Sequence, residues 1–128
     1  DLEEGQKRSD RWLACEAAFK SAKSLEGTPG GIRLGRAHKV LIDLVIRETF
    51  KAAGRQGLPI QFHTGFGDSD LDLLEANPLH LRPLLAEPRF SKVSVVLLHT
   101  YPYAREAGYL ASIYRNVYVD FGLAVPFL

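Results

Sequence analysis

The sequence predicts an α/β fold in which parallel strands alternate with helices. Three short apolar segments have the length of strands, and they occupy residues 58–63, 93–99 and 117–121. Segments with helical spacing of apolar residues separate them, an alternation typical of parallel strands joined by crossover helices. Each apolar segment also carries an ionisable residue at or next to its C-terminal end, as parallel strands often do where they form a functional site.

Two helices are predicted ahead of the first strand. Residues 6–25 contain apolar side chains among charges and neither glycine nor proline, which indicates a helix. The run Gly-Thr-Pro-Gly-Gly at 27–31 then breaks the chain. A second helix is expected from about Ala37 to Gly54, with Gly54 as its C-terminal stop.

The remaining elements follow from local composition. Segment 93–99 is rich in β-branched residues and almost continuously apolar, as expected of a parallel strand buried on both faces. Pro59 is tolerated because it lies at the start of its strand. The other predicted elements are a loop at 64–72 and helices at 78–86 and 103–114.

Two architectures accommodate this order of elements: an open, doubly wound sheet and a closed (β/α)8 barrel. A whole barrel needs roughly 250 residues, so the 128 residues here amount to less than half of one. The chain also begins at Asp1, contains no methionine and ends on an apolar run at 124–128. We therefore expect an interior segment of a longer protein.

Composition excludes several classes of function. The 16 basic and 15 acidic residues are balanced and form no basic stripe, so no nucleic-acid partner is expected. No apolar run approaches the ~20 residues of a membrane-spanning helix, and the charged residues at the start of the sequence lead us to expect no signal peptide there. The single cysteine, Cys15, is predicted to be a small apolar helix residue. Such cysteine usage is typical of a reducing compartment, and we expect a cytoplasmic protein.

His63 and His99 are the best candidates for chemistry, because they end successive predicted strands. Strict alternation along a strand predicts that His99 shares a face with Val95 and Leu97, and His63 a face with Gln61. Imidazole binds zinc and related metals and transfers protons near neutral pH. A metal centre and a metal-plus-base arrangement both fit, as does a pair of hydrogen-bonded core histidines.

Other polar residues are weaker candidates. Asp120 either orients a histidine in catalysis or caps the turn that follows its strand. The aspartates at 68, 70 and 72 lack the spacing of a calcium loop and are expected to form turns. Structural or solvated roles are expected of His38 and His80.

Three stretches resemble the amidohydrolase-related, metal-dependent hydrolase family. These stretches are Gln61–Asp68, Val96–Tyr103 and Val117–Pro126. Within the family they are most similar to the group containing the amidohydrolase domain of FluG and nodulin/glutamine synthetase-like proteins. The similarity is dense from about Leu58 to Pro126, and before Gly57 only the helical character agrees.

The resemblance implies a distorted (β/α)8 TIM barrel. Residues 1–128 would form part of one barrel domain, incomplete at both ends, from the helix before strand five through strand seven. One or two divalent ions, zinc most often, would sit at the mouth, with His63 as a metal ligand. His99 would bind a second metal or act in catalysis. The metal would activate water to cleave a C–N or related bond of a small-molecule substrate.

Departures from the family pattern keep alternatives open. The first-strand His-x-His and the eighth-strand aspartate are absent, so activity is expected of a full-length parent and not of this segment alone. Some relatives use the same site for decarboxylation or isomerisation. A non-catalytic or regulatory barrel attached to a glutamine synthetase-like domain is the alternative function, and an unrelated α/β protein the third hypothesis. A homo-oligomer and a fused glutamine synthetase-like domain are the macromolecular partners to test.

Overall fold

The computed structural model describes residues 2–23, 38–69 and 71–127, which fall in two compact units, Asp1–Thr49 and Phe50–Leu128. The helices are α1 (Leu2–Lys23), α2 (Lys39–Gln56), α3 (Arg82–Leu85) and α4 (Ala104–Ile113), and the strands are β1 (Ile60–Thr64), β2 (Val95–His99) and β3 (Val117–Val119). Short 3₁₀ helices lie at Pro78–Leu81, Pro88–Phe90 and Val125–Phe127. None of the helices within these described ranges is long and apolar enough to cross a membrane.

The first unit contains α1 and the beginning of α2. Helix α1 starts four residues earlier than predicted and ends at Lys23, and the predicted break at 27–31 lies outside the described residues. Cys15 is buried, and its thiol donates to the Val40 carbonyl oxygen at 3.5 Å. On the exposed side of α1, the ammonium of Lys20 lies 2.7 Å from Glu16 and lowers the pKa of that carboxyl.

The end of α2 corrects one prediction. Gly54 does not stop the helix, which continues to Gln56. Gly57 is the terminating glycine: its φ is +67°, and the next amide, Leu58 N–H, donates to the Ala53 carbonyl at 3.0 Å. This is a Schellman arrangement, for which glycine is favoured because the left-handed conformation costs it little. A side chain at Gly54 would instead meet Val93 at 3.3 Å, so close packing explains that glycine.

The second unit is built on a three-stranded parallel sheet with strand order β1-β2-β3. Ile60 pairs with Val95, and Val95 with Val117, so the carboxyl ends of neighbouring strands meet at one edge. This confirms the predicted α/β class with parallel strands. It agrees with a partial barrel, in which successive parallel strands are joined through helices.

One face of this sheet carries the core of the second unit. Phe50, near the end of α2, is 1% exposed and packs on Phe62 and Phe90 with ring centroids 6.1 and 5.1 Å apart. Val95 and Leu97 of β2 are fully buried. Each such side chain contributes about 1.5–3 kcal/mol of burial free energy, so this core stabilises β1 and β2 in the sheet.

The connections between strands are helical, as predicted. The expected helix at 78–86 is a 3₁₀ turn followed by the single turn of α3, and the Asn77 side chain caps it by accepting the Leu79 amide at 2.9 Å. Helix α4 packs on β3 and buries Ala107 and Leu110, three residues apart on one face. These connections leave the strand ends free to carry loops.

Candidate metal centre

His63 lies near the carboxyl end of β1 with its side chain exposed. Its ring Nε2 is 2.8 Å from the carbonyl oxygen of Phe66, three residues later. Because a carbonyl oxygen only accepts hydrogen bonds, Nε2 must carry the proton. The neutral ring then has its free lone pair on Nδ1, the nitrogen that remains for a ligand.

His99 ends β2 in an unusual backbone conformation. Its φ is +70°, and the φ of the next residue, Thr100, is +58°. The Thr100 amide donates to the Leu98 carbonyl, and the Tyr101 amide to the His99 carbonyl, both at 2.8 Å. These are two successive γ-turns with positive φ at their central residues. Residues other than glycine adopt such conformations at a cost on the order of 1–3 kcal/mol each.

This turn corrects the predicted face of His99. His63 is the register partner of Leu98, so strict alternation would place His99 with Thr64 on the opposite, buried face of the sheet. Instead the rings of His63 and His99 are in edge-on contact, with centroids 4.5 Å apart and planes inclined by 67°. The left-handed turn ends the alternation at His99, and the two predicted site residues come together.

The pair fits a divalent metal in the chemistry of its donors. Nδ1 of His99 is buried without a hydrogen-bond partner, a state that costs about 1–3 kcal/mol unless another group occupies the position. The ring of His63, in contact with that of His99, has a lone pair on its own Nδ1. No group of three or more His, Cys, Asp or Glu suited to a metal occurs among the described residues. The donor chemistry of the two imidazoles suits zinc and related divalent metals, and any further protein ligands would have to come from outside the described residues.

Asp120 follows β3 and is half-buried. Its backbone amide donates to the Leu97 carbonyl at 2.9 Å, and its Oδ1 accepts the Gly122 amide at 2.9 Å. The side chain thus caps the turn after β3, one of its two predicted roles, and does not form a metal-binding group with the two histidines. A catalytic role for Asp120 stays a prediction.

The loop after β1 contributes residues that the sequence did not single out for the site. An open depression beside His63 is lined by Gly67, Asp68 and Leu71. The backbone carbonyl of Asp68 accepts the Leu71 amide, as expected for a turn, and the Asp68 side chain is exposed. Asp72 forms a second predicted turn, whereas residue 70 lies outside the described residues.

The loops after β1 and β2 are joined by hydrogen bonds to backbone carbonyls and by aromatic side chains. The Phe66 amide donates to the Tyr101 carbonyl at 2.8 Å, and the Tyr103 hydroxyl donates to the Leu73 carbonyl at 2.9 Å. An aromatic cluster lies over this junction, with ring centroids 5.2–5.9 Å apart: Phe66, Tyr101 and Phe127. Backbone contacts of this kind leave no residue pattern, so the sequence could not reveal them.

The other two histidines were predicted to have structural or solvated roles. His80 is exposed on the 3₁₀ helix Pro78–Leu81, with its Nε2 3.0 Å from the Leu74 carbonyl. His38, just before α2 in the first unit, is buried at 6% exposure. The position of His80 agrees with the structural or solvated role predicted for it. Both ring nitrogens of His38 are buried without a hydrogen-bond partner among the described residues, so its role stays a prediction.

Comparison with known proteins places this geometry in a family. The amidohydrolase family model matches residues 2–127, almost the whole chain. The chain belongs to the amidohydrolase family. Protein FluG of Emericella nidulans is 49% identical over 94 residues, which cover 69% of this chain and 11% of FluG. This confirms the family resemblance predicted from the three stretches at 61–68, 96–103 and 117–126.

A solved structure is similar over most of the chain. It is the crystal structure of a presumed metal-dependent hydrolase from Lactobacillus casei, with a TM-score of 0.72 and 39% sequence identity. The match covers 87% of this chain and 28% of that one. This amidohydrolase chain thus spans about a tenth of the curated relative and little more than a quarter of the solved one.

Proposed function

We propose that this chain supplies part of the metal centre of a metal-dependent hydrolase that cleaves C–N or related bonds of small molecules. The observation that carries the proposal is the contact between the His63 and His99 rings at the carboxyl edge of a parallel sheet. In parallel α/β folds this edge carries the active site. Family membership and the likeness to the Lactobacillus casei protein support the same conclusion.

The two histidines have different surroundings and therefore different proposed roles. His63 would bind the metal through Nδ1 while the Phe66 carbonyl holds the proton on Nε2. His99, with a buried and unpartnered Nδ1, would either bind a second ion or carry a proton during the reaction. Zinc is the preferred metal, since imidazole ligands suit it. When bound, a divalent metal polarises a substrate carbonyl and lowers the pKa of a nearby water molecule.

Strands β1, β2 and β3 are proposed to be the fifth, sixth and seventh strands of a (β/α)8 barrel. The exposed face of β1, which carries Gln61 and His63, would then line the barrel interior. The further metal ligands would come from other strands of the same barrel, in keeping with the 28% of the solved chain that is matched. A small-molecule substrate, a homo-oligomeric assembly and a cytoplasmic location remain predictions.

Metal analysis of the full-length protein tests the proposal. Wild type should contain a stoichiometric divalent metal, and His63→Ala should lose it. His80→Ala is the matched control, because His80 is also exposed and also hydrogen-bonded to a backbone carbonyl through Nε2. It should keep its metal.

Hydrolysis supplies the second measurement. Release of aniline from simple N-acyl anilides should stop when a chelator removes the metal and should return when zinc or manganese is restored. An active, metal-free wild type would contradict the proposal. A full-length protein with neither metal nor hydrolytic activity would favour the alternative of a non-catalytic barrel domain.

A further inference from the structure

The backbone of Phe66 connects His63 to the neighbouring strand end. Its amide donates to the Tyr101 carbonyl in the loop after β2, and its carbonyl accepts Nε2–H of His63, both at 2.8 Å. The preceding amide, Gly65 N–H, donates to the Ala76 carbonyl at 2.9 Å. The position of the Phe66 carbonyl is therefore set by chain segments on both sides of it.

Gly65 makes this connection sterically feasible. Its φ is +75°, and a Cβ at this position would lie 2.1 Å from the Tyr101 carbonyl oxygen. The carbonyl carbons of Thr100 and Tyr101 would lie at 2.9 Å. All three atoms belong to the backbone, so no side-chain rotation could relieve the overlap. Only glycine allows the two loops to approach this closely.

We propose that Gly65 and the Phe66 backbone form a clamp, held in place by the loop after β2, that fixes the tautomer and orientation of the His63 ring. The Gly65–Phe66 clamp keeps the proton on Nε2 and directs the lone pair of Nδ1 to the site. Gly65 is thus a positioning residue. The expected effect of the clamp on metal affinity rests on the proposed function, whereas the tautomer of His63 does not.

The fixed tautomer should matter for metal affinity. An unclamped imidazole distributes its proton over both nitrogens and rotates, so the binding nitrogen is available only part of the time. Hydrogen bonds that orient a metal-binding histidine typically change metal affinity 10–100-fold. We expect a loss in this range when the clamp is opened.

The chain offers a matched control for opening the clamp. Gly57 has nearly the same left-handed backbone, with φ +67°, but a Cβ there would meet nothing within 4 Å. Gly57→Ala therefore imposes the same kind of backbone strain as Gly65→Ala without a collision. Any difference between the two variants reports the contact with Tyr101 and not glycine replacement as such.

The tautomer is measured first, in metal-free, ¹⁵N-histidine-labelled full-length protein by two-bond ¹H–¹⁵N NMR spectra. The His63 signal is assigned by its loss in His63→Gln. Wild type and Gly57→Ala should show the Nε2–H form, and Gly65→Ala a mixture. A wild type with the Nδ1–H form, or with a mixture, would overturn the inference even if Gly65→Ala does not fold.

Zinc affinity is measured second, by competition with a chromophoric chelator. Gly65→Ala should bind zinc 10–100-fold more weakly than wild type, and Gly57→Ala within about twofold of wild type. Equal affinities of the two variants would overturn the inference. A wild type that binds no zinc at all would remove the proposed function, and the tautomer measurement would then still decide whether the clamp exists.

Discussion

The ends of β1 and β2 have left-handed backbone conformations in common but differ in the residue types that adopt them. Both strands must turn sharply at one edge of the sheet. At the end of β1 the left-handed residue is Gly65, whereas at the end of β2 the left-handed residues are His99 and Thr100, which have full side chains. Gly65 occupies the position where the backbone of the neighbouring loop leaves no room for a Cβ. At the end of β2 a strained histidine is present, and its side chain reaches the site. Strain of this kind is typical of functional positions.

Each of the two strand ends also has a buried threonine, and the hydrogen bonding of the two hydroxyls differs. Thr64, the last residue of β1, is 3% exposed, and its hydroxyl donates to the Leu98 carbonyl at 2.9 Å. Thr100, directly after β2, is fully buried, and its Oγ1 has no partner in the described part of the chain. The hydroxyl at the end of β1 is thus satisfied internally, whereas at the end of β2 a ring nitrogen and a hydroxyl are buried without a hydrogen-bond partner among the described residues.

The largest expected effect comes from replacing each histidine by glycine. His99→Gly should lower anilide hydrolysis by the full-length protein by about 10²–10⁴-fold if His99 transfers protons. It should not lower the free energy of unfolding, because glycine relieves about 1–3 kcal/mol of backbone strain. His63 has an ordinary extended backbone, so His63→Gly relieves no strain and should lower the free energy of unfolding by about 0.5–1 kcal/mol. Urea unfolding and initial rates measure the two quantities, and equal destabilisation by both variants would contradict the comparison.

Replacing each threonine by valine should have smaller effects on the free energy of unfolding, and the two effects should have opposite signs. Valine keeps the shape of threonine and removes only the hydroxyl. Thr64→Val loses a hydrogen bond and should lower the free energy of unfolding by about 1 kcal/mol. Thr100→Val removes a buried, unpartnered hydroxyl and should raise it by a similar amount. Chemical unfolding of both variants tests this. If Thr100→Val lowered metal content, the hydroxyl would instead belong to the site.

The smallest effect is expected at the third strand end. Asp120→Asn keeps an Oδ1 acceptor for the Gly122 amide, so the turn after β3 should persist and stability should change by no more than about 0.5 kcal/mol. Asp120→Ala removes the acceptor and should cost about 0.5–1.5 kcal/mol. Thermal unfolding distinguishes these outcomes. A large fall in hydrolysis by Asp120→Asn, with metal content unchanged, would establish the catalytic role that the sequence predicts.

Much of the fold was predictable because its signals are local. Apolar runs at 93–99 and 117–121 predicted two strands, and their alternation with helices predicted a parallel sheet. The end of α2 was predicted wrongly because two glycines compete there. Gly54 and Gly57 are equivalent by composition, and only packing of Gly54 against Val93 and the left-handed φ of Gly57 separate them.

The sequence by itself determined which residues could do chemistry: imidazoles at the ends of two parallel strands, in a pattern shared with the amidohydrolase family. Only the tertiary structure decided that His99 leaves the alternation of β2 and meets His63, and that the Phe66 carbonyl sets which nitrogen of His63 is free. The physical reason is that these features depend on backbone conformation and on contacts between loops about 35 residues apart, such as Phe66 N–H with the Tyr101 carbonyl. Every residue type has the same backbone amide and carbonyl, so such contacts leave no signature in a sequence.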